Sequence, residues 1–199
     1  MKLSLSWIKD YVNIPEDADL KKLAYDLTMS TVEVEDVEDL ARRFDNMLVG
    51  VIEKIEPHPN ADKLRVCKVD IGGGEIKDIV CGGINLKEGM RVAVSCPGAV
   101  VRWHGEGEPV VIKNSKLRGV ESYGMICASD EIGLGELFPA EQEAEILDLS
   151  AFDVPAGTSL ADALDMNDIL LEIDNKSMTN RPDLWGHYGI AREIAALYD

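Results

Sequence analysis

A chain of 199 residues, 46% hydrophobic and 29% charged, carries enough apolar material for one large folded domain or two small ones, and no run approaches the ~18 apolar residues of a membrane span. A net charge of −17 argues against a general nucleic-acid binder, DNA included, because neutralising phosphate takes Lys and Arg. The charge is uneven: residues 1–39 hold four basic and ten acidic residues, 40–150 thirteen and eighteen, and 151–199 three and nine, so any RNA contact belongs to the middle segment.

Leu5, Ile8 and Val12, with Trp7 and Tyr11, recur at helical spacing, and Asn13-Ile14-Pro15 ends that run because the residue before proline avoids the helical region. A second helix is predicted over 19–29, capped by Asp17 or Asp19, with Leu20, Leu23, Ala24 and Leu27 on one face. Val32, Val34 and Val37 among Glu33, Glu35 and Asp36 predict a strand with one wet face. From about residue 47 the pattern changes to short β-branched runs at 47–56, 64–71, 76–81, 91–96, 110–113 and 124–128, separated by Gly, Pro, Asn and Asp. Strands so spaced point to a small all-β barrel or sandwich. A helical turn at Ser129-Asp130 and a strand over 145–149 close that segment, followed by a short helix over 159–164 and a buried strand over 169–173. A last helix follows Asn180-Arg181-Pro182-Asp183, with Leu184, Tyr188, Ala191, Ala195 and Tyr198 on one face.

At about 40–50 residues, neither end segment reaches the size at which a lone core becomes secure. The expected organisation is therefore a discontinuous α+β domain, 1–39 plus 151–199, into which a β domain, 40–150, is inserted, its two ends close in space.

Signatures of catalysis are scarce. The sequence holds no G-x-x-x-x-G-K-[ST], H-E-x-x-H or G-x-S-x-G. Gly72-Gly73-Gly74 lies between two predicted strands and reads as a hairpin turn. His104 reads as a loop residue and His187 as a capping or packing residue of the last helix. Cys67, Cys81, Cys96 and Cys127 are dispersed through apolar runs, with no C-x-x-C pair, so the expectation is four buried free thiols and no metal site. The opening MKLSLSWIKDYVN lacks the apolar stretch of a signal peptide, and a cytoplasmic chain is expected.

Two stretches concentrate cations. Pro57-His58-Pro59-Asn60-Ala61-Asp62-Lys63-Leu64-Arg65 is a stiff turn that brings Lys63 and Arg65 to the next strand. Lys113-Asn114-Ser115-Lys116-Leu117-Arg118-Gly119 has three cations and no acid between Glu108 and Glu121. It suits a phosphate-binding surface or, equally, a charged strand edge that resists aggregation.

P-H-P-N-A-D-K-L at 57–64, V-C-G-G-I-N at 80–85, G-M-R-V-A-V at 89–94, K-L-R-G-V-E-S-Y-G-M-I-C at 116–127 and D-E-I-G-L at 130–134 resemble the tRNA-binding domain family, an oligonucleotide-binding (OB) barrel. The flanks, M-K-L-S-L-S-W-I-K-D-Y-V at 1–12 and N-R-P-D-L-W-G-H-Y-G-I-A-R-E-I-A-A-L-Y at 180–198, resemble the two halves of the first domain of bacterial phenylalanyl-tRNA synthetase β subunits, which that family splits around the barrel. The resemblance implies α+β architecture with a five-stranded OB barrel inserted into a small discontinuous domain. It implies a polypeptide that pairs with a catalytic α subunit, two of each, to attach phenylalanine to tRNA with ATP and magnesium, this part holding no catalytic residue or cofactor. The loop 101–109, with Trp103, Glu106 and Glu108, departs from the family's pattern. Lys63, Arg65, Lys68, Lys113, Lys116 and Arg118 are the expected RNA phosphate contacts. The alternative is a protein-interaction domain that docks on the α subunit or on other β-subunit domains with little RNA contact.

Overall fold

The structure, a computed structural model, describes residues 1–198, the side chain of Ser177 excepted. Strand β1 (Lys2–Ser4) runs directly into helix α1 (Leu5–Lys9), whose first turn is capped by the Ser4 hydroxyl accepting from the Trp7 N–H. The helix is shorter than the periodicity suggests. Approaching Pro15, the backbone loosens into turn bonds such as Tyr11 N–H to Ile8 O, although Val12 stays buried. Helix α2 (Leu20–Ser30) begins at Asp19, whose carboxylate accepts from the N–H groups of Lys21 and Lys22. Strand β2 (Val34–Asp39) follows. Then come β3 (Met47–Pro57), β4 (Arg65–Asp70), β5 (Ile76–Cys81), β6 (Arg91–Ser95), β7 (Val100–Val101), β8 (Val110–Val111), β9 (Ser115–Leu117), β10 (Val120–Ser122) and β11 (Met125–Ile126). Helix α3 (Leu160–Ala163), strand β12 (Ile169–Ile173) and helix α4 (His187–Tyr198) complete the chain.

Two compact units result, 1–40 with 167–198, and 41–166. In the first, β12 lies between β1 and β2 in an antiparallel sheet, so the C-terminal stretch supplies the central strand to two N-terminal edges. Neither stretch could form this sheet alone. Ile8, Leu27, Leu171, Ile173, Leu184 and Ile190 fill the core beneath it. Val34 and Val37 both pack on this core although three residues apart, because a bulge sets Glu35 outside the register: Val34 pairs with Ile173, and Asp36 with Glu172. Asp39 pairs with Ile169, so the chain leaves this unit and re-enters it on neighbouring strands.

The second unit is built on a five-stranded antiparallel sheet in the order β11-β6-β3-β4-β5. It coils on itself until its outer edges are bridged: the Tyr123 N–H donates to Asp78 O (2.9 Å) and the Val80 N–H to Ser122 Oγ (3.0 Å). The result is a nearly closed OB-type barrel filled by residues such as Ile52, Val69, Ile79, Val92 and Ile126. The five runs 47–56, 64–71, 76–81, 91–96 and 124–128 are its strands, within a few residues at each end. The run 110–113 contracts to β8, paired with β7, which is too short to show a pattern in sequence. The run 145–149 forms no ladder. Its Leu147 and Leu149 N–H groups donate to Cys127 O and Arg91 O, with one isolated bridge from Asp148 to Val92.

The boundary after the barrel falls at residue 166, not 150. The N–H groups of Gly157 and Val49 donate to Val49 O and Thr158 O respectively, and Leu160, Ala161 and Ala163 join Val49, Ala93 and Leu149 in a buried cluster. Gly72 and Gly157, both at positive φ, cross so closely that a Cβ on Gly72 would lie 2.6 Å from the Gly157 Cα. Among the described residues no helix is long and apolar enough to cross a membrane.

Candidate nucleic-acid interface

The two cation-rich stretches meet. Residues 115–122 form a hairpin, β9 with β10, whose two-residue turn is Arg118-Gly119, both at positive φ (45° and 98°). Asn60 Nδ2 donates to Arg118 O at its tip (3.0 Å), and His58 Nε2 lies 3.1 Å from Leu117 O. The Asn60 N–H donates to His58 Nδ1 (3.1 Å), so a neutral ring protonated on Nε2 satisfies both contacts. His58 is buried, and it ties the 57–65 turn to the hairpin. Sequence reading left this residue out. Its placement between Pro57 and Pro59 was the available signal, since a side chain in so stiff a turn has few directions to take.

Between the hairpin and strands β4 and β5 lies an open groove of about 920 Å³, with Lys68, Lys77, Asn114, Lys116 and Tyr123 in its lining. This is where OB barrels take oligonucleotides, on the face of the second and third barrel strands and the loops after the first and fourth. Of the six expected contacts, Lys68 and Lys116 line the groove, and Lys113 precedes the lining residue Asn114. Arg118 stands at the hairpin tip, while Lys63 and Arg65 are in and just after the turn bonded to that tip.

Their states differ. Lys63, Lys113, Lys116 and Arg118 are exposed, and none forms an ion pair among the described residues. Lys68 donates to Asp78 (2.9 Å), and that hydrogen bond, with the carboxylate's charge, raises the pKa of the ammonium. The Arg65 guanidinium donates from Nη1 to Asp62 O (2.9 Å) and Leu64 O (3.0 Å), which stiffens the turn and commits part of its donor fork. Acidic residues are present as well: Glu121 sits directly across the hairpin from Lys116, and Glu75 pairs with Lys77 (2.8 Å).

The divergent loop does not line the groove. Trp103–Gly105 forms one 3-10 turn with Trp103 half exposed, and Arg102 fixes it by donating from Nη1 to Gly107 O (2.6 Å). In the other unit, His187 Nε2 accepts from the Ser4 N–H (3.0 Å) and its ring lies 4.9 Å from that of Trp7. It packs and caps. Tyr11 and Tyr188 form a second ring pair (5.4 Å) beside it, and Trp7, Tyr11 and Tyr188 are all exposed. All four cysteines are buried free thiols. Among the described residues no three His, Cys, Asp or Glu side chains are grouped to hold a metal ion.

A family model described as "Putative tRNA binding domain" matches residues 47–158. Proteins called phenylalanine–tRNA ligase beta subunit are similar along almost the whole chain. That of Prochlorococcus marinus (strain NATL2A) is 41% identical over 198 residues, 99% of this chain and 23% of the relative. That of Cupriavidus pinatubonensis is 41% identical over the same share of each. That of Fusobacterium nucleatum subsp. nucleatum is 39% identical over 199 residues, all of this chain and 23% of the relative. The chain thus spans just under a quarter of the length of these relatives.

Proposed function

Since the chain belongs to the tRNA binding domain family, we propose that its barrel unit binds tRNA through the groove between the hairpin and strands β4 and β5. Lys63, Lys113, Lys116 and Arg118 serve as the principal phosphate contacts, with Lys68 and Arg65 as partly committed ones. The observation that carries this reading is the junction of the 57–65 turn with the hairpin tip through His58 and Asn60, which gathers cations from distant sequence around one groove. Contacts of this kind fix position on a backbone rather than read sequence.

On the same reading the chain is the N-terminal part of a cytoplasmic phenylalanine–tRNA ligase β subunit. The complete enzyme attaches phenylalanine to tRNA as a heterotetramer of two α and two β subunits. ATP and magnesium act in the α subunit, and the present residues position tRNA without taking part in the chemistry. Electrophoretic or filter-binding titration of tRNA against K113A/K116A/R118A tests the groove. The variant loses tRNA binding and keeps the wild-type unfolding midpoint, because the three side chains are exposed and unpaired. Unchanged binding by the folded variant refutes the assignment.

A second reading rests on the ring pairs Trp7–His187 and Tyr11–Tyr188 of the discontinuous unit, in which Trp7, Tyr11 and Tyr188 are exposed. Aromatic residues are enriched at the centres of protein interfaces, and these rings would dock on the α subunit or on other β-subunit domains. The triple groove variant leaves such assembly intact, whereas W7A/Y188A weakens it and spares tRNA binding.

A further inference from the structure

Resting on the tRNA reading of the groove, we propose that it also holds one unpaired nucleotide of the tRNA, with its base stacked on the ring of Tyr123. The barrel unit has few aromatics, and the structure disposes of most of them. Phe44 is buried, Phe138 packs edge-on against Phe152 at 6.1 Å, and Trp103 is on a loop outside the groove. Tyr123 is the aromatic residue in the groove lining. Its backbone is fixed by the N–H bond to Asp78 O, and its ring packs in part against the barrel core. A ring supported from behind and lining a groove can serve as a stacking platform.

The surroundings suit a nucleotide. Lys77 Nζ stands 5.0 Å from the Tyr123 centroid, so this ring already attracts a cation to its face. The ammonium's other partner is exposed Glu75, and an exposed pair of this sort is held only weakly, so Lys77 can give way to a base and move toward phosphate. Ile76, 57% exposed on β5, lines the same groove and offers an apolar second wall. Asn114 and Ser115 at the lip carry polar groups that make no hydrogen bond among the described residues, free to meet a base edge. Ser122 is excluded from such a role: its hydroxyl accepts from the Val80 N–H and donates to Gly124 O. The groove's volume falls within the ~300–1,000 Å³ common for sites of small molecules. A duplex backbone crossing the cations would need neither an aromatic ring nor an apolar wall.

The test is titration of the 199-residue chain with tRNA, and with a single-stranded RNA heptamer carrying 2-aminopurine, for wild type, Tyr123→Leu and Tyr123→Phe. Loss of one stacked base lowers affinity roughly 5- to 150-fold. Tyr123→Leu should show that loss with an unchanged dependence on salt, since no charge is removed, while Tyr123→Phe retains wild-type affinity. Wild type and Tyr123→Phe should quench the 2-aminopurine, and Tyr123→Leu should not. If wild type binds tRNA and folded Tyr123→Leu binds it equally, stacking is overturned and the phosphate reading stands. Should wild type bind no tRNA at all, both fall. If Tyr123→Leu fails to fold, the decision passes to wild type and Tyr123→Phe, where absence of quenching overturns the proposal.

Discussion

The sharpest consequence of the groove is its response to salt. Four cations, Lys63, Lys113, Lys116 and Arg118, are exposed and unpaired among the described residues, so the proposed site carries four full phosphate contacts. Each contact releases counterions, and affinity should fall with a log–log slope of about −0.7 to −0.9 per contact, or about −2.8 to −3.6 in all. Between about 50 and 200 mM salt that slope weakens binding roughly 50- to 150-fold. Removing two contacts with K113A/K116A should flatten it by about 1.4–1.8. Asp78→Asn acts in the opposite direction, because it releases Lys68 from its ion pair and adds about one contact. Fluorescence anisotropy of labelled tRNA over a salt series measures all three. If K113A/K116A lowers affinity but leaves the slope at its wild-type value, these lysines act through the fold and not through phosphate, and the groove assignment is wrong.

Other outcomes follow from packing and protonation. Leu160→Ala removes a fully buried side chain and should cost about 2–5 kcal/mol, with hydrogen-exchange protection lost in 41–166; loss confined to the other unit would place 151–166 with the ends of the chain. Burial pushes the Asp168 carboxyl up, but hydrogen bonds from Ser4, Ser6 and the Ile169 N–H outweigh it and hold the pKa below the usual carboxylate value. Its contribution to stability is therefore present above the ordinary aspartate pKa and lost as pH falls through the lowered one, and Asp168→Asn should flatten the acid limb of the stability–pH curve in urea titrations. Burial raises the Cys67 and Cys127 thiols to about 12 and Cys81 to about 11, so at pH 8 an aromatic disulfide reagent should leave the native chain unmodified over minutes and titrate all four cysteines in denaturant.

Much of the fold was legible because its signals are local. Short β-branched runs bounded by Gly, Pro, Asn and Asp mark the barrel strands, and of the two predicted caps, Asp17 and Asp19, the helix takes Asp19. What escaped depends on contacts distant in sequence. Residues 151–166 were grouped with the ends of the chain because the strand predicted over 145–149 marked the end of the β segment and nothing in the local pattern of Leu160-Ala161-Asp162-Ala163 says which core it enters; the backbone bonds between Val49 and residues 157–158 decide that. The cations of the site were visible as composition. The groove was not, since it depends on a hairpin whose turn begins with Arg118, where Asn or Asp followed by Gly would have given the usual sign. Tyr123 was hidden for a similar reason: only the bond from its N–H to Asp78 O places it against β5.

For a chain of net charge −17 to grip a polyanion, contacts near the site must be separated from charges far from it. Residues 41–166 hold thirteen basic and twenty-one acidic residues, so even the barrel unit repels tRNA at a distance. At about 0.15 M salt the screening length is ~8 Å, which silences acids farther away but leaves contacts at hydrogen-bond distance in force. Added salt therefore does two opposite things. It competes with the phosphate contacts, and it relieves the repulsion from the rest of the surface. At low salt the second effect offsets part of the first, and the log–log plot should be shallower than the contact count below about 0.05 M, where the screening length exceeds 10 Å, and should approach it above about 0.15 M. Such curvature, absent from a uniformly basic RNA-binding domain, would mark a site in which a few placed cations work against the field of their own protein.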